Sequence, residues 1–197
     1  MERLNPMVTW AIGKGGSVRG GATLQQTLLA GNDFGMYPAE KVGEYSASDR
    51  YQKDWRDQDT SASFRQVGFA MIPFEGEELA EKILLCNRKG FGVMFGNTLA
   101  VNRFERDSHG VYDATIGGGG AHATAFGGLQ TVNGKDYLLY LNSHGNIYPK
   151  DDGTPAFGGW MSWEKLVRFC STKYVDAAVI LCAEAPYDDS VKPTLEV

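Results

Sequence analysis

Two residues could do chemistry together, a histidine at position 122 and an asparagine at position 142. His122 follows four consecutive glycines, Gly117 to Gly120, and opens an apolar stretch that closes at Gly127-Gly128. Glycine carries no side chain, so such a run lets another backbone or a substrate come close to the imidazole. About 20 residues on, Leu141-Asn142-Ser143-His144-Gly145 ends a second apolar stretch. Asn133-Gly134 between the two is a strong hairpin signal. A hairpin with that turn sets His122 and Asn142 side by side at one end. An Asn carbonyl oxygen that accepts the imidazole N–H fixes the ring's tautomer and direction, the task of the third member of a Cys–His–Asn site. A structural polar pair fits the same spacing, and spacing alone leaves both readings open.

The remaining candidates point to less. His109, in Asp107-Ser108-His109-Gly110, reads as a solvated turn residue. His122, His144 and Asp113 show no metal-ligand spacing, so no metal is expected. Gly13-Lys14-Gly15-Gly16-Ser17 lacks the spacing of a phosphate loop and follows no strand. No cofactor is expected. The three cysteines, Cys86, Cys170 and Cys182, are odd in number, and none sits in a CxxC pair. Each lies in an apolar context and reads as a buried thiol, which argues against thiolate zinc and a disulfide framework.

The elements that must position the pair follow from periodicity. Thr23 to Ala30 reads as a helix with Leu24, Leu28 and Leu29 on one face, ended by Gly31. Residues 35–55 read as an irregular loop. Glu77 to Arg88 is the clearest helix, with Leu79, Ile83 and Cys86 in one stripe and Gly90 as its stop. A short strand over Gly92 to Phe95 and a stretch over Leu99 to Phe104 come next. Ala121 to Phe126, Tyr137 to Asn142 and the nearly continuous apolar run Val175 to Cys182 read as strands. Ser162 to Ser171 reads as a short helix with Ser162 as N-cap. Helices come first and a mainly antiparallel sheet second, so the fold class is α+β.

With 197 residues, 43% of them hydrophobic, the chain can bury a core. A net charge of −5 without a basic cluster argues against nucleic acid or an anionic membrane as partner. No apolar run of transmembrane length and no secretory signal pattern is visible, which points to a cytoplasmic or virion setting.

Several of these stretches resemble the papain-like cysteine peptidases. Gly119-Gly120-Ala121-His122-Ala123 is similar to the small-residue run into that family's catalytic histidine. Tyr140-Leu141-Asn142-Ser143-His144-Gly145 is similar to its Asn-Ser-Trp-Gly motif, with His144 where a tryptophan shields the Asn–His hydrogen bond. Gly158-Gly159-Trp160 resembles the glycine-rich turn that follows. Upstream, Gly15-Gly16-Ser17, a helix and Phe34-Gly35-Met36-Tyr37-Pro38 resemble the approach to the family's Tyr-Pro turn. Glu77 to Gly90 with Val93 to Phe95 is similar to the helix and strand before the histidine. The resemblance covers most of residues 13–182. It implies a papain-like domain over residues 1–184 and an exposed arm over 185–197. The expected layout is a helical N-terminal half forming an incomplete lobe, then a twisted antiparallel sheet, with the site at a groove between the halves.

One family feature is not found. The Gln-x-Gly-x-Cys-Trp segment that opens the nucleophile helix has no counterpart here, and Thr9-Trp10-Ala11 echoes it only superficially. Hence the first expectation is a non-catalytic structural or interaction protein, part of a larger assembly such as a phage virion, with His122 and Asn142 vestigial. The alternative is the His/Asn-bearing part of a cysteine peptidase whose nucleophile lies upstream or on a partner chain. A third reading is a peptide-binding domain. Partner subunits are expected to cover the incomplete lobe.

Overall fold

A computed structural model describes residues 4–5, 23–33, 37–38, 68–142 and 158–181. Two compact units emerge, residues 1–69 with 180–197, and residues 70–179.

In the first unit, β1 (Leu4–Asn5) pairs antiparallel with β2 (Tyr37–Pro38), and α1 spans Leu24–Asp33. Helix α1 opens on a reciprocal capping box: the Gln26 amide donates to Thr23 Oγ1 and the Thr23 amide donates to Gln26 Oε1, each at 3.1 Å. Leu24, Leu28 and Ala30 are buried, whereas Leu29 is exposed. The helix runs through Gly31 to Asp33, so Gly31 is not its stop; it is a buried helical residue. Tyr37 and Pro38 form a strand inside what the sequence suggested as loop, and the rest of residues 39–55 lies outside the described residues.

The larger unit is built on a sheet whose strand order is β3-β8-β4-β5-β6-β7, where β3 is Gly68–Met71, β4 Val93–Arg106, β5 Tyr112–Val132, β6 Lys135–Leu141, β7 Gly158–Ser162 and β8 Asp176–Leu181. The ladders of β4 with β5 and β8, and of β6 with β5 and β7, are antiparallel. A single parallel pairing joins Asp113 to Trp160. Helices α2 (Gly76–Arg88) and α3 (Trp163–Cys170) pack on each other and against the sheet. The chain is thus α+β.

In α2 the expected stripe is present: Leu79 and Ile83 are fully buried and Cys86 is nearly so. Burying each of the two aliphatic side chains contributes roughly 1.5–3 kcal/mol. Glu77 and Glu78 lie in its first turn and Arg88 in its last, as the macrodipole favours. Gly90 follows with φ +83°. Beneath the helices Phe95, Phe126, Tyr140 and Phe169 form an aromatic cluster with centroid separations of 5.4–5.9 Å.

Two strands differ from the periodicity reading. Val93–Phe95 of the first expected stretch and Leu99–Phe104 belong to one strand, β4, with register shifts between Asn97 and Leu99 and between Val101 and Arg103, while Gly92 lies just before it. The glycine run 117–120 is not a loop before a strand, because β5 starts at Tyr112 and passes straight through it. Gly117 and Gly118 pair with Ala100 and Leu99 of β4, which holds them extended despite their weak strand preference, while Gly119 and Gly120 fall in the register shift that follows. Ser162 takes the N-cap position of α3 with extended φ and ψ, but its side chain does not cap the helix. The region 185–197 lies outside the described residues.

Candidate active site: a histidine–asparagine pair at the end of a hairpin

The β5–β6 hairpin turns at Asn133 and Gly134, both with positive φ, 51° and 77°. That is the geometry a two-residue turn needs to match strand twist. Its register pairs Phe126 with Tyr140 and Ala125 with Leu141. One step further sets Thr124 across from Asn142, with His122 diagonal to it. Positions 122, 124 and 126 share a face of β5, and 138, 140 and 142 share a face of β6. Phe126, Leu138 and Tyr140 are in the core, while His122 and Asn142 lie where that face meets solvent.

There the two side chains meet, with His122 Nε2 2.8 Å from Asn142 Oδ1. A carbonyl oxygen only accepts, so Nε2 carries the proton and Nδ1 presents a lone pair. The Asn142 amide donates in turn to the Tyr140 hydroxyl at 3.2 Å. On the other side of β5, Asn97 stands across the ladder from His122 and donates to the Phe169 carbonyl at 3.3 Å.

A depression of about 230 Å³ opens beside the pair, lined by Ala100, Val101, Gly120, Ala121 and Tyr140 as well as His122 and Asn142. The lining is small and mostly apolar apart from the pair itself. A Cβ built on Gly120 would meet nothing within 4 Å, so the space over it is open. Gly119, by contrast, lies against Ala100, where a Cβ would sit 2.7 Å from the alanine methyl. The run therefore does two jobs, one for strand packing and one for access.

The other sequence candidates fall elsewhere. His109 is in the turn between β4 and β5, where Asn133 Nδ2 approaches its Nδ1 at 3.5 Å. Asp113 is buried, accepts the Ser162 amide at 2.8 Å and pairs with Lys165 at 2.9 Å. This engagement explains it as a structural anchor rather than a metal ligand, and no metal-ligand cluster occurs among the described residues. His144 and Thr9 lie outside the described residues, as does Cys182. Cys86 and Cys170 are buried free thiols. Burial pushes the Cys170 thiol up to about 12. It also raises that of Cys86, against the opposing pull of Lys89 and Lys82. Neither offers a thiolate at neutral pH.

Tyr140 belongs to the site, although the sequence reading gave it no role of its own there. A parity signal was available, because it sits two positions before Asn142 on the same strand face. Its ring lies in the core.

No family model matches the chain, and no curated protein matches it. Among solved structures it is similar to digestive procathepsin L 3 of Tenebrio molitor larval midgut, at 15% sequence identity and a TM-score of 0.60. The match covers 91% of this chain and 56% of that one, so the chain spans little more than half the length of that protein. At this identity the likeness is one of backbone, and with the α+β architecture it shows that the chain has a papain-like fold.

Proposed function

We propose that this domain carries the base and its orienter for a cysteine-peptidase-type site, His122 and Asn142, and that the nucleophilic cysteine comes from outside residues 1–197, on the same polypeptide or a partner chain. The observation that carries this reading is the 2.8 Å contact from His122 Nε2 to Asn142 Oδ1. It leaves Nδ1 as the basic nitrogen, in a ring whose direction is fixed. A thiol brought to Nδ1 would transfer its proton there, and the resulting thiolate–imidazolium pair is the activated nucleophile. His122 would then return that proton to the leaving amine. The open, apolar depression next to the ring suits an extended peptide.

The test is a thiol-reactive peptidase probe applied to the native source protein or to the full coding sequence. Rapid labelling of a cysteine outside these residues, slowed roughly 10²–10⁴-fold by His122→Ala, is the expected result. Labelling no faster than that of a free thiol, and indifferent to His122→Ala, would overturn it.

A second reading is favoured by Cys86 and Cys170, the two described cysteines, both buried. On that view the domain is a non-catalytic structural or interaction protein of a larger assembly, such as a virion, and the pair is vestigial. Other subunits would then cover an incomplete N-terminal lobe. Co-purification of the chain with a stoichiometric partner that lacks any probe-reactive cysteine is the outcome this reading expects.

A further inference from the structure

The β4–β5 ladder reaches His122 and then shifts register. Asn97 pairs with His122, and the next pair is Leu99 with Gly118, so Thr98 alone stands against Gly119, Gly120 and Ala121. A glycine-rich strand specifies its own register weakly. The flanking ladders have stopped by then as well. Among the described residues, β8 pairs with β4 as far as Gly96, and β6 pairs with β5 as far as Ala125. The Asn97–His122 rung is thus the last before the shift, at a point where β4 and β5 pair with each other alone. The buried Phe126 and Thr124 fix the face that β5 presents, but His122 lies beyond them, half-buried. Residues paired across an antiparallel ladder put their side chains on one face, so Asn97 and His122 share the face on which Phe95 meets Phe169 of α3.

A side chain ties this rung to the helices. Asn97 is 5% exposed, and its amide donates to the Phe169 carbonyl at 3.3 Å. Phe169 lies in the last turn of α3, where carbonyls have no partner within the helix. Ser171 takes the two carbonyls before it, its hydroxyl donating to Val167 at 2.7 Å and its amide to Arg168 at 3.3 Å. Phe169 is a fixed point, for its ring is fully buried, stacked on Phe95 at 5.4 Å and edge-on to Tyr140 at 5.9 Å. We propose that Asn97 is a positioning residue for His122: by tying the last rung before the register shift to the end of α3, it keeps the imidazole at Asn142. The role rests on the base-and-orienter reading only for its catalytic meaning, since the ring has to be held whether or not a thiol is brought to it.

The test reads how firmly the ring is held. An imidazole N–H loose in water exchanges too fast to give an NMR signal, whereas one held on an acceptor exchanges only when the contact opens, and its rate can be timed. In the full 197-residue chain, the His122 Nε2–H signal is assigned with His122→Ala. Asn97→Leu is close in size and removes the donor. It should speed exchange of that proton roughly tenfold, the weight of about one neutral hydrogen bond. Ser171→Ala removes a second side-chain tie at the end of α3, outside the sheet, and should leave the rate unaltered. A folded Asn97→Leu chain with the wild-type rate would overturn the proposal. So would an equal acceleration in Ser171→Ala, because any loosening of α3 would then suffice, and so would a wild-type ring proton too short-lived to detect. If Asn97→Leu does not fold, Asn97→Asp keeps the shape and, ionised, cannot donate. An unchanged rate in that variant overturns the proposal, as does its failure to fold, since Asn97 would then hold the whole domain and not the pair. A probe that finds no reactive cysteine bears on the peptidase reading alone and leaves these rates standing.

Discussion

The two ends of the β5–β6 hairpin carry nearly the same residue types and do different things with them. At the turn end, Asn133 approaches His109 at 3.5 Å, and the Tyr137 hydroxyl donates to the Asp107 carboxylate. At the open end, Asn142 meets His122 at 2.8 Å, and a tyrosine hydroxyl backs the amide. Each end thus has a histidine, an asparagine and a tyrosine. Yet at the turn end the hydrogen bonds converge on a carboxylate. Asp107 Oδ1 accepts the His109 and Val111 amides at 2.9 and 3.0 Å, which closes the β4–β5 turn. At the open end, among the described residues, the Asn142 amide rather than a carboxylate stands between the imidazole and the Tyr140 hydroxyl. Composition is therefore a poor guide to a site. The acceptor on which the hydrogen bonds converge and the open space beside the ring separate a fastened turn from the pair proposed as a base and its orienter.

The comparison can be broken most easily at His122 itself. Its replacement by alanine should slow thiol labelling by the two to four orders of magnitude typical of general-base loss, whereas His109→Ala should leave labelling unaltered. Equal losses in the two variants would erase the distinction between the ends.

Next in size is Asp107→Ala. It leaves the Tyr137 hydroxyl and two turn amides without their acceptor, and should lower unfolding free energy by about 1–3 kcal/mol in denaturant titration. The His122 tautomer should not move. A tautomer change in this variant would mean that the ends are coupled.

Acid sharpens the contrast further. Burial pulls the Asp107 carboxyl up, but the hydrogen bonds from Tyr137 and the Val111 and His109 amides win and hold it below its ordinary value. A carboxyl with a depressed folded pKa contributes stability that is complete above its unfolded value of about 3.9. That contribution is lost as pH falls through the folded value. The turn end should therefore weaken only in acid below about pH 4. Asp107→Asn should flatten that part of the stability–pH curve, and an unchanged acid limb would show that other carboxylates set it.

The smallest effect is expected from His109→Ala, where a long contact on an exposed surface is removed. Its stability should change by less than about 0.5 kcal/mol. A larger loss would make the turn-end pair a real hydrogen bond and narrow the difference between the ends.

What the sequence determined by itself was whatever short-range rules control. The Asn133-Gly134 turn, the apolar stripe of α2 and the alternation along β5 and β6 each depend on a few neighbouring residues, and together they bring positions 122 and 142 to one end of one hairpin. The joining of Val93–Phe95 and Leu99–Phe104 into one strand, and the extension of β5 through Gly117 and Gly118, depended on ladder bonds between β4 and β5. Those bonds form between residues distant in sequence and override local preference. The tertiary structure alone decided which end of the Asn142 amide faces the ring. In it Oδ1 meets His122 and Nδ2 meets the Tyr140 hydroxyl, and a donor's direction is not encoded in the spacing of the residues it joins.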